Sequence, residues 1–208
     1  MKQHLSKVLI LVFFFLLSPC LSAEAPSPGV VNAAQQGLKD FCAGASASGN
    51  VHLGLGFRMH TVSPHALVNK TELTLEALVL PMDMWRFFVL ENEKPVGLLT
   101  VVKVDQDWKA VSFGGADLAM EIDTIGKNWS EYTFRFIRVY QATSDFMEIM
   151  SGHDSLGFAP LKSARISLGI DSFVTGPGTL VYNSEILEPL REMVSKTLSV
   201  RPEVDKEK

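Results

Sequence analysis

The sequence predicts an α+β fold, with an antiparallel sheet of four to six strands packed against two or three helices. Three observations predict it. Residues 84–113 hold three runs rich in aromatic and branched side chains, separated by the short polar turns 91–94 and 105–107. That is the pattern of an antiparallel meander. Apolar residues recur at helical spacing over 30–45, 116–125 and 187–200. The 208-residue chain less its first 23 residues leaves 185, enough for one domain over 30–200 with a core of its own.

Those first 23 residues have the layout of a secretory signal peptide. Lys2 and Lys7 give a basic start, VLILVFFFLL is an uninterrupted apolar run, and Pro19 with LSAEA forms a small-residue exit. The run is short for a membrane span, which takes about 20 apolar residues. Cleavage is expected after Ala23, because a cut after Ala25 would set Pro26 against the bond. A lipoprotein is the competing expectation, since LLSPC puts Cys20 at a lipidation position, although Pro19 stands where a small residue belongs. The expected location is periplasmic or secreted, with membrane attachment only through the leader or a lipid on Cys20. Losing the leader removes two lysines and no acid, so 17 basic face 23 acidic residues, a net charge of −6. That acidity argues against nucleic acid and anionic membranes as partners. Cys42 is the one cysteine left, so no internal disulfide is expected. Its place in an apolar helical pattern reads as a small buried hydrophobe.

Element by element, 24–29 is a Pro/Ser linker and 30–45 a helix, with Val31, Ala34, Leu38, Phe41 and Cys42 on one stripe. A loop at 46–50 leads to a strand over 51–62. Leu53, Leu55, Phe57, Met59 and Thr61 share one of its faces, and Gly54 and Gly56 mark a bulge or close approach. A short amphipathic segment at 73–80 precedes the meander strands 84–90, 96–104 and 108–113. The middle strand is apolar on both faces, Leu98 and Val102 on one and Leu99 and Val101 on the other, so it is expected to be covered on both sides. Gly114 and Gly115 turn the chain into the 116–125 helix, whose stripe is Leu118, Ala119, Ile122 and Ile125. A strand at 132–140 sets Tyr132, Phe134, Phe136, Arg138 and Tyr140 opposite Thr133, Arg135, Ile137 and Val139. Residues 145–150 fit either strand or helix, and 161–170 reads as a strand. The last helix, 187–200, places Pro189 at its first position, because an interior proline costs about 3 kcal/mol. The charged tail 201–208 is expected to be disordered.

The motifs of common chemistries are missing. No HExxH, CxxC or aspartate-rich calcium loop occurs, so no metal is expected, and His60 and His65 in HTVSPH make a weak pair. There is no GxSxG elbow. Asp117 and Glu121 lie one helical turn apart, a solvated face before an acid–base pair. GLGF lacks the third glycine of a dinucleotide fingerprint. FGGAD runs from strand to helix and offers free amides to an anion, but it lacks the lysine and serine of a phosphate loop. The sequons at Asn69 and Asn128 matter only in a glycosylating host. No cofactor and no catalytic residue is expected.

The aromatics are the remaining lead. Trp85 and Trp108 flank the central strand, and Trp129 follows the second helix. They fill the core, or they form an aromatic binding face rimmed by Arg135 and Arg138. The segment WRFFVLENEKPVGLLTVVKVDQDWKAVSFGG resembles ribbons in secreted bacterial PepSY-type and cystatin-like modules, which often occur as protease propeptides. There a strand leads to a turn such as NGK, a second strand, a turn before a Trp, and a third strand; here the turns are ENEK and DQD. The likeness covers residues 85–115 and carries over no site residue. It implies an inhibitory, chaperone-like or binding role rather than catalysis, although no catalytic domain follows as it would in a propeptide. The expected function is an exported, non-catalytic binding or inhibitory module that engages a protein or peptide through a sheet face or edge. The alternatives are a small-ligand carrier with a pocket lined by Phe57, Trp85, Phe87 and Phe136, or an enzyme whose site is scattered in sequence.

Overall fold

The computed structural model describes residues 24–42, 51–170 and 176–200. The leader with Cys20, the 46–50 loop, the tail 201–208 and the Cys42 side chain lie outside the described residues. Two antiparallel meanders build one sheet. The first is β1 (Val51–Val62), β2 (Val79–Glu91), β3 (Lys94–Val104) and β4 (Asp107–Gly114). The second is β5 (Thr133–Val139), β6 (Ser144–Ser151) and β7 (Asp154–Pro160). The leading strands of the two meanders, β1 and β5, lie side by side in parallel, with Met59 opposite Phe136. The resulting order is β4-β3-β2-β1-β5-β6-β7.

Seven strands stand where the sequence pattern predicts four to six. The extra strand is β6, where 145–150 fit either strand or helix, and the last strand is displaced as well. Residues 161–170, expected as a strand, contain helix α5 (Lys162–Leu168), and the strand lies just before it as β7. The segment alternates, but Leu161, Ala164 and Leu168 also fall at helical spacing and all pack inward. Gly169, at φ 64°, closes the helix. β7 hides from periodicity because DSLGFAP carries a glycine and a proline. It tolerates Pro160 as an edge strand, and its Phe158 pairs instead with Val181 through two backbone hydrogen bonds.

Helix boundaries shift for local reasons. Helix α1 (Pro28–Cys42) takes the last two residues of the expected linker. Pro28 suits a first turn that needs no N–H, and Val31 N–H bonds Ser27 C=O at 3.1 Å. Helices α2 (Pro64–Asn69) and α3 (Leu75–Leu78) form the β1–β2 connection, and Ser63 Oγ caps α2 at Ala66 N–H. Helix α6 (Asn183–Val200) starts a full turn before the expected site, which leaves Pro189 inside it. The early turn is anchored by the buried Ile186 and Leu187. Asn183 also accepts from Leu75 N–H and donates to Glu76, both at 2.8 Å. Together these contacts offset the roughly 3 kcal/mol of an interior proline.

Helices cover both faces of the sheet. On one face, Val30 and Ala34 of α1 pack on Trp85, Phe87, Val89, Leu99 and Val101. On the other half of that face, Leu67, Leu75, Ile186, Leu190 and Val194 pack on Ile137, Val139 and Phe146. The opposite face carries α4 (Ala116–Asn128), whose Ala119, Ile122 and Ile125 lie over Phe57, Phe88, Leu98 and Phe136. The middle strand of the first meander is thus sandwiched between α1 and α4, as its two apolar faces require. The expected single face of β1 is split by a register shift between Leu53 and Gly56. Leu53 packs with the α1 cluster, and Phe57 with the α4 cluster. Seven strands about 4.8 Å apart span about 29 Å, whereas a helix the length of α4 reaches about 20 Å. Its two ends therefore leave sheet uncovered.

Candidate functional site

One opening lies at the C-terminal end of α4. It is a cleft of about 410 Å³. Phe88 and Leu90 of β2, Phe134 of β5 and Ile149 of β6 form its floor, and Ile122, Gly126 and Trp129 form its wall. Leu55 and Tyr132 stand at the mouth, 60% and 39% exposed. They carry the apolar lining out to the surface. The wall is built in advance. Trp129 Nε1–H donates to Gly178 C=O at 2.9 Å, and Asn128 Nδ2 donates to Pro177 C=O at 3.0 Å. Trp129 also meets Tyr132 edge to face at 5.6 Å. Charge is confined to the rim, where Lys127 pairs with Asp123 at 2.6 Å and Glu93 lies 3.4 Å from the His52 imidazole. Opposite this floor, a Cβ placed on Gly126 would have nothing within 4 Å. The glycine leaves the cleft open, and the volume falls in the roughly 300–1,000 Å³ typical of small-molecule sites.

A polar cluster lies on the other face of the sheet. Glu148 is fully buried, and its Oε2 accepts from Arg135 Nε at 2.7 Å and pairs with Nη2 at 2.6 Å. Glu148 Oε1, Ser155 Oγ and His60 Nδ1 are buried without a partner. Burial pushes the Glu148 carboxyl up, against the pull of Arg135. His60 is held below its ordinary value, first by burial and then by the charge of Arg135. An unfolded chain therefore takes up a proton on this residue that the folded chain resists. The resulting stability is present above the ordinary value of 6.5 and is lost as pH falls from there through the folded value. Urea midpoints measured in steps below pH 6.5 should fall for the native protein, and His60→Gln should flatten that part of the curve.

The four sequence-derived binding residues are not brought together. Trp85 is 3% exposed beneath α1, and Trp108 packs on the same side, partly buried near Gly29. Arg135 points to the Glu148 side. Arg138 lies on the α4 side, where its Nη1 reaches both oxygens of Asp145 at 3.0 Å and its guanidinium covers the Tyr140 ring. Of the aromatics expected to line a carrier pocket, Phe57 and Phe136 pack on each other at 5.6 Å, and Trp85 and Phe87 lie under α1. All four are buried. Glu121 is engaged by Arg165 at 3.0 Å and by Lys162 N–H at 2.8 Å. Among the described residues no group of three or more His, Cys, Asp or Glu side chains is placed to hold a metal. No described helix is long and apolar enough to cross a membrane. Of the cleft residues, the sequence marks Trp129 as an aromatic lead and Leu55 and Tyr132 only as strand-face residues, and it gives no signal at Gly126. No protein-family model, curated protein or solved structure matches the chain.

Proposed function

We propose that the chain is an exported, non-catalytic binding module whose ligand is a small, uncharged, ring-bearing molecule held in the α4 cleft. One observation carries this reading: an apolar space of about 410 Å³ kept open at Gly126. Phe88, Trp129, Tyr132 and Phe134 offer ring faces and edges, which favour aromatic guests. The one cation lining the cleft, Lys127, is already paired with Asp123, so the site has no spare cation for an anionic guest. A second reading has its own support. β4 is an edge strand with Val111 and Phe113 exposed at 47% and 36%, suited to adding a peptide strand.

Fluorescence titration with N-phenyl-1-naphthylamine separates the two. The native protein should bind one saturable equivalent. Gly126→Leu should weaken binding at least tenfold, about 1.4 kcal/mol, by filling the cleft. Its thermal midpoint should hold or rise, because removing a helical glycine gains up to about 1 kcal/mol. Equal affinity in both proteins, or no saturable binding, would reject the cleft reading. Peptide capture at β4 would survive the substitution.

A further inference from the structure

A second recess, of about 220 Å³, opens at the N-terminal end of α4. Arg86 of β2, Thr100 of β3 and Ser112 of β4 are successive partners across the sheet and line it as one row. The Arg86 guanidinium lies over the Phe136 ring at 5.7 Å. Its Nε and Nη1 are buried and have no hydrogen-bond partner. The acid beside it is already engaged. Both Asp145 oxygens accept from Arg138, and Oδ2 also accepts from Ser163 at 2.9 Å. Burial accordingly pushes the Arg86 pKa down. Leaving two nitrogens of a charged side chain shielded from water and unpaired is costly, more so than for a neutral group.

The other walls are also donors. Gly114 and Gly115 line the recess, and Gly115 is the cap residue of α4 at φ 70°. It has no side chain with which to cap the helix, so the first amides of α4 remain available, with the positive end of the helix dipole behind them. No described carboxylate lines the recess. A half-buried cation with two unpaired nitrogens, two hydroxyls and a helix start without a side-chain cap, with no acid among the lining residues, form a donor-rich set.

We infer that this recess binds a small oxyanion, a carboxylate or a phosphate, with Arg86 as its counterion and Thr100 and Ser112 as hydroxyl donors. The site is independent of the α4 cleft, which lies at the other end of the helix. An anion that binds only the folded chain stabilises it in proportion to the logarithm of its concentration once saturated.

The test follows thermal unfolding of the full chain against sodium phosphate and, in parallel, sodium acetate, with chloride holding ionic strength constant. At least one anion should raise the midpoint, with the logarithmic concentration dependence of a single site; phosphate alone, acetate alone or both identifies which oxyanion the recess accepts. Arg86→Met should abolish that shift while the protein still folds in chloride. Ser112→Tyr, on the exposed edge strand, should also remove the shift by filling the recess, and it serves if Arg86→Met does not fold. Both variants should bind N-phenyl-1-naphthylamine as the native protein does. No rise with either anion, or a native-sized rise in Arg86→Met or Ser112→Tyr, overturns the inference.

Discussion

Arg135→Met is expected to destabilise the protein by about 3–5 kcal/mol at neutral pH, the cost of stranding one member of a buried ion pair. The two partners are unequal. Glu148 is wholly buried, whereas the Arg135 side chain is 28% exposed and can turn to water. Removing the arginine leaves a carboxylate with no route to solvent. Removing the acid with Glu148→Gln should therefore cost much less. The double variant Arg135→Met/Glu148→Met should recover most of the loss, because an apolar pair avoids both desolvation penalties. Acid should relieve the single variant. Glu148 titrates above its ordinary 4.5, so the folded chain holds this proton more tightly than the unfolded chain does. That contribution is fully present below 4.5 and is lost as pH rises through the folded value. Without Arg135 to pull the value down, the window widens upward. Urea unfolding at pH 5 and pH 8 should thus show a smaller Arg135→Met penalty at the lower pH. Equal penalties for Arg135→Met and Glu148→Gln would contradict this account.

Phe136→Ala is expected to cost about 3–5 kcal/mol, as large-to-small changes at closed aromatic sites do. Phe136 is 0% exposed on β5, at the parallel junction of the two meanders, opposite Met59. Its ring touches Phe57 on one side and carries the Arg86 guanidinium on another. Truncation loses the transfer of the ring from water, leaves a void that a sheet centre closes poorly, and removes the cation–π contact, worth about 0.5–2 kcal/mol. Phe136→Leu keeps most of the volume and should lose less than half as much. Chemical denaturation of both variants gives the comparison directly. An alanine variant within 1 kcal/mol of native, about a fivefold change in the folding constant, would show that the junction is not a closed core.

How far such features were legible depended on whether local pattern or distant contact determined them. The first meander declares itself because its turns are polar and its strands aromatic; the structure keeps β3 and β4 within two residues of the expected bounds and starts β2 five residues early, at Val79. The two-residue turn after β2 places Asn92 and Glu93 at φ 49° and 63°, a conformation that asparagine accepts readily and glutamate does not. Helix α2 was signalled by Ser63 and Pro64, a cap followed by a first-turn proline, inside a stretch that drew attention for its histidines. The α6 start was hidden, because Asn183 reaches Leu75 and Glu76 across more than a hundred residues. The cleft was hidden for a similar reason. Leu55 comes from β1, Phe88 from β2, Gly126 from α4 and Phe134 from β5, and they are neighbours only because β1 and β5 pair in parallel. The sequence marks Trp85 and Trp108 by residue type, but burial decides which tryptophan meets a ligand, and burial is a property of where α1 lands.

The three tryptophans make that distinction measurable. Each contributes one indole N–H signal to a proton–nitrogen spectrum, and single Trp→Phe variants assign them. On titration with N-phenyl-1-naphthylamine, the Trp129 signal should move saturably while those of Trp85 and Trp108 stay in place beneath α1. Movement of Trp85 or Trp108 with Trp129 unchanged, or no movement at all, would contradict a ligand site at the C-terminal end of α4.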